Sequence, residues 1–153
     1  MRRTILGLLP VLAILVTLTA LPAAPARADV LPYKEGPVVD VTPIRVQDGR
    51  FYDYWNYLES HWKVTMEAAK KEGLVVSYSV FAATPRSPQE PNLYLVVTYP
   101  NYAAFDGIDE KMAALDQKLF GSSPQKSEED SGKRGPMRTV LGDEILRELQ
   151  FKK

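Results

Sequence analysis

There is no cysteine in this sequence. Disulfides, thiolate metal sites, a cysteine nucleophile and a lipid-modified N-terminal cysteine are all excluded. There is one histidine, His61, so no two-histidine metal motif can be built. No glycine-rich phosphate cradle and no nucleophile elbow occur either. Excess charge is also missing, with 19 basic and 19 acidic side chains. A chain without a basic stripe does not suit nucleic acid as a partner.

One long apolar run is present, over residues 5–21. Arg2 and Arg3 precede it, and Pro22, Pro25 and then Ala26-Arg27-Ala28 follow it. A basic start, an apolar middle and small residues at −3 and −1 predict an export signal cleaved between Ala28 and Asp29. The other reading is a retained membrane anchor. Pro10 interrupts the run, which is near the short limit for spanning hydrocarbon. The expected location is therefore periplasmic or secreted, with no membrane attachment after cleavage. Removing residues 1–28 takes away three arginines and no acid, which leaves 16 basic against 19 acidic side chains. The expected organisation is a signal over 1–28, a tether over 29–37 and one domain over 38–153.

Periodicity sorts the domain into elements. Residues 38–46 are rich in valine and isoleucine and predict a strand. Pro43 within it predicts an edge position, a bulge or an early end. Residues 51–72 predict an aromatic helix whose apolar face is Phe51, Tyr54, Trp55, Leu58, Trp62, Thr65, Met66 and Ala69. Gly73 suits a left-handed helix end. Residues 74–82 and 93–99 alternate as strands, joined by a proline-rich loop. A second helix is expected over 102–120, with Gly107 weakening it. Residues 122–136 fit either a short helix from Ser123-Pro124 or a loop. Residues 138–151 favour a last strand, with a pair of helical turns over 143–149 as the other reading.

The order β-α-β-β-α-β predicts an α+β, ferredoxin-like fold: a four-stranded antiparallel sheet with both helices on one face. The uncovered sheet face is apolar enough to need a cover, and a second copy of the chain is the expected one, giving a homodimer. On the strand at 39–46, the turn Gln47-Asp48-Gly49-Arg50, the aromatic helix at Phe51, the strand pair and the step Tyr99-Pro100-Asn101, the chain resembles the dimeric α/β-barrel superfamily. That superfamily includes NIPSNAP-like, antibiotic-biosynthesis-monooxygenase-like and haem-degrading proteins. The resemblance implies a dimeric barrel and is one of pattern, without a catalytic signature.

His61 is the one weak candidate for catalysis, as a general base or an axial haem ligand. The other reading is a half-buried or interface histidine. The haem-degrading relatives use an early-strand asparagine, where this chain offers Asp40, and a histidine on the second helix. No catalytic residue is carried over from them. Tyr54, Tyr57, His61, Tyr78 and Tyr94 are candidates to line a pocket for a small apolar ligand. Plain core packing is the expectation for Trp55 and Trp62, and a solvated loop for Glu128-Glu129-Asp130. The favoured reading is a dimeric binding module with no metal and no cofactor. The alternative is a cofactor-independent monooxygenase or a haem-handling enzyme using His61.

Overall fold

A computed structural model describes residues 31–152. The expected cleavage site, Ala28 and Asp29, lies outside the described residues. The elements are β1 (Tyr33–Val46), α1 (Phe51–Tyr57), a π-helical turn (Leu58–Trp62), α2 (Lys63–Lys71), β2 (Ser77–Ala82) and β3 (Leu93–Tyr99). A 3-10 turn (Tyr102–Phe105), α3 (Ile108–Phe120), α4 (Pro124–Lys133), β4 (Arg138–Val140) and β5 (Glu144–Phe151) follow.

All strand pairs are antiparallel, in the order β2-β3-β1, with β4 and β5 both on the far side of β1. This is the ferredoxin-like arrangement, with its last strand in two pieces. The division has a cause in β1. The Pro43 carbonyl accepts from the Leu141 N–H at 2.9 Å. The return bond of that pair needs an N–H on residue 43, which proline lacks. The ladder stops there, and Gly142 turns at a φ of 142° before β5 resumes. Pro43 therefore sits inside a central strand, and it is the partner strand that breaks. Asn92 secures the other side of β1. Its Oδ1 accepts from the Val46 N–H at 2.8 Å and its Nδ2 donates to the Val46 carbonyl at 3.0 Å.

β1 begins at Tyr33, so the second half of the segment read as a tether joins the sheet. A register shift between Glu35 and Val38 absorbs Gly36 and Pro37. A side chain at Gly36 would meet Glu148 Cβ at 2.9 Å, so this close strand approach requires glycine.

The register sets the two faces. Val38, Asp40, Thr42 and Ile44 lie opposite Tyr99, Val97, Leu95 and Leu93 and face the helices. Two apolar clusters form there. Ile44, Val46, Leu93 and Leu95 pack with Tyr54 and Leu58, while Val75, Val97 and Tyr99 pack with Met66, Ala69 and Leu115. Trp62 touches both clusters. The opposite face carries Val39, Val41 and Pro43 beside Thr98, Val96 and Tyr94, with Phe81 and Leu146 towards its edges. Phe81 is 55% exposed and Leu146 44%.

α1, the π turn and α2 run on without a break, so residues 51–71 are one rod. Its buried stripe is not the straight line that 3.6-residue spacing predicts. Tyr54, Leu58, Thr65, Met66 and Ala69 are buried, but Phe51 and Trp55 are exposed and stack on each other at 6.0 Å. The π turn adds a residue and shifts the helical phase, so the face followed through α2 does not extend back to Phe51. Trp55 is therefore not a core residue. Gly107, at a φ of 65°, divides the helix expected over 102–120 into the 3-10 turn and α3. Residues 124–133 are helical, capped by Ser123, whose hydroxyl accepts from the Lys126 N–H at 3.2 Å. The acidic run 128–130 consequently lies on α4.

Candidate functional site

Three helices leave a groove between them. The rod supplies Tyr57, His61, Trp62, Thr65 and Met66, α3 supplies Met112, Asp116 and Phe120, and α4 with its exit supplies Asp130, Lys133, Arg134 and Met137. Its volume is about 420 Å³, within the usual size of a small-molecule site.

A column of rings forms one wall. Tyr57 and His61 are a helical turn apart and stack at 5.7 Å between centroids, with planes 22° apart. Phe120, arriving from the end of α3, stacks on His61 at 4.3 Å and 17°. His61 belongs to the π turn, whose extra residue sets where this ring column meets the groove. The imidazole is exposed at the rim. Among the described residues no hydrogen bond joins it to a carboxylate.

Charge is unevenly spread. Asp116 accepts from the Thr65 hydroxyl at 3.1 Å. Asp130 takes both Lys133, at 2.7 Å, and Lys126, at 3.3 Å. The bond from Lys133 leads in holding the Asp130 carboxyl below its ordinary range. The Arg134 guanidinium lies 4.2 Å from the centre of the Tyr57 ring, and that of Arg138 lies 5.9 Å from the Tyr54 ring. Burial raises both phenols, and the two guanidiniums pull them part of the way back.

The structure brings together Tyr57 and His61 of the five pocket candidates. Tyr54 is buried in the core beneath Arg138. Tyr94 lies on the opposite face of the sheet. Tyr78 stands edge-on to Trp62 at 5.3 Å and donates to the Glu67 carboxylate. Phe120, Asp116 and Arg134 completed the groove without any sequence signal, because each approaches Tyr57 or His61 only through tertiary packing.

The Tyr78–Glu67 bond has a measurable signature. The carboxylate holds the phenol proton and pushes Tyr78 up to about 12. A tyrosine at its ordinary value titrates near 10. Ultraviolet titration of the parent minus Tyr78→Phe is therefore expected to show one late phenol. Glu67→Gln should return it towards 10. An early Tyr78 transition in the parent would mean that the bond is absent.

Tyr57 and Phe120 both stack against the ring of His61. Among the described residues no group of three or more His, Asp or Glu side chains is placed to hold a metal ion.

No protein-family model matches the sequence, and no curated protein matches it. Among solved structures the chain is similar to HapK from Hahella chejuensis, with 15% identity and a TM-score of 0.49, over 76% of this chain and 96% of that one. It is also similar to two dimeric ferredoxin-like proteins from an uncultured marine organism. The first has 8% identity and a TM-score of 0.46, over 78% of this chain and 91% of that one. The second has 12% identity and a TM-score of 0.46, over 78% and 99%. At these values the likeness concerns the path of the chain and says nothing of activity.

Proposed function

We propose that the chain is a binding module whose inter-helix groove takes a small, flat, largely apolar molecule. The observation that carries this reading is the Tyr57–His61–Phe120 ring column, open along the groove and backed by Trp62, Met66, Met112 and Met137. Flat aromatic walls with a few polar groups are how small-molecule sites are usually built. His61 serves in this reading as one packed ring of the column. It is stacked, and no hydrogen-bonded carboxylate orients it as a base.

The test is equilibrium dialysis of 2-naphthamide against the full chain, with Trp62 fluorescence as a second readout. Saturable binding is expected. Phe120→Ala should weaken it by about three- to tenfold, the worth of one aromatic contact. His61→Gln should fold as the parent does. In a haem titration no Soret band should depend on His61. Absence of saturable binding, or a Soret band lost only in His61→Gln, would overturn the reading.

We also propose that two copies pair through the open sheet face. The helices bury only one side of the sheet, and the other presents Val39, Val41, Val96, Tyr94, Phe81 and Leu146 together. A second copy offers the same apolar face, so one twofold contact covers both. Export through the segment before residue 29 completes the proposal.

A further inference from the structure

We infer that the groove selects an aromatic carboxylate, whose anionic end is held by the Arg134 guanidinium. This rests on reading the groove as a ligand site. Arg134 and Arg138 differ from the other cations around the groove. Lys126 and Lys133 share Asp130, but among the described residues no carboxylate lies within 4 Å of either arginine. Arg138 donates to a neutral partner, Ser131 Oγ, at 3.3 Å. Arg134 Nε is buried and has no hydrogen-bond partner. Both arginines are partly covered. A positive charge drawn out of water without an anion is unfavourable, and a bound carboxylate would remove that penalty.

The geometry also suits this ligand. Arg134 is held over the Tyr57 ring, at the end of the ring column. Its backbone carbonyl accepts from Met137 N at 2.9 Å and Arg138 N at 3.1 Å, so the turn after α4 fixes its place. The same turn occupies carbonyls at the helix end that would otherwise repel an anion. A planar guanidinium matches a carboxylate through two parallel N–H···O bonds. Arg138, behind it over Tyr54, adds a second positive charge. Asp116 is tied to Thr65 and Asp130 to two lysines, so Arg134 is left as a groove cation free to take the acid group of a ligand.

The probe pair is 2-naphthoate and 2-naphthamide, which share shape and differ in charge. Equilibrium dialysis against the full chain at low salt is expected to show 2-naphthoate about tenfold tighter, since charge-assisted bonds are roughly twice as strong as neutral ones. Arg134→Gln should abolish this preference, weakening 2-naphthoate about tenfold more than 2-naphthamide. Arg134→Lys, which keeps the charge and loses the planar fork, should keep part of it and guards against a folding defect in the glutamine variant. Equal affinity of the two probes in the parent would overturn the carboxylate inference and leave the groove reading standing. A preference that survives Arg134→Gln would overturn the assignment of Arg134. Failure of both probes to bind would overturn the groove reading, and the inference with it.

Discussion

Leu93→Ala is expected to lower the unfolding free energy by about 2–5 kcal/mol, the range for truncating a fully buried leucine. Leu93 is 2% exposed in β3 and packs with Ile44, Tyr54 and Leu58, so its removal leaves a void that the sheet cannot close. Small domains are stable by only about 5–15 kcal/mol, so this one side chain represents a large part of the total. Urea unfolding followed by tryptophan fluorescence measures it. Tyr52→Ala is the matched control. Tyr52 is 81% exposed, and its loss should change stability by no more than about 0.5 kcal/mol. If the two variants unfolded together, Leu93 would not be the centre of the core that the register places there.

Val96→Lys should halve the sedimenting mass. The parent is expected to sediment as a dimer at micromolar concentration. Val96 is partly buried at the centre of the open face, between Val41 on β1 and Ser79 on β2. A lysine there would place an unpaired ammonium against the same patch of the second copy, and burying an unpaired charge is strongly unfavourable. In the free monomer the lysine would reach water, so the variant should still fold. Val96→Ala should remain dimeric. A parent that sediments as a monomer would remove the twofold pairing from the proposal.

The strands were legible as short apolar, β-branched and aromatic runs bounded by turn residues. Residues 93–99 are nearly all apolar, and β3 alternates in burial position by position, with Leu93, Leu95, Val97 and Tyr99 inward. Local backbone chemistry was legible too. Gly73 adopts a φ of 75°, the left-handed helix end expected of it. The failures have a common physical origin. The exposure of Trp55 follows from a π turn, whose wider winding leaves no mark on a 3.6-residue pattern. Pro43 lies in a central strand because its missing donor faces the gap between β4 and β5, a fact about a partner almost a hundred residues away. The groove was half legible, since Tyr57 and His61 lie one turn apart on a single helix. Its other half comes from α3 and from the polar stretch after it, which periodicity left open between helix and loop. Arg134 reaches Tyr57 only once that stretch has folded.

The break opposite Pro43 has a bearing on how the chain behaves when crowded. A sheet margin presents unpaired backbone groups, and a long, straight margin is a template on which another molecule can add a strand. β4 and β5 form such a margin along β1. Its side chains include Leu146, Leu149 and Phe151, and the last is 97% exposed. An uninterrupted strand from Arg138 to Phe151 would offer a continuous docking rail. Pro43 removes one rung, and the turn at Gly142 cuts the rail into runs of three and eight residues. The break opposite one imino acid in the interior thus leaves the rim without a continuous fourteen-residue strand, its longest run being the eight residues of β5.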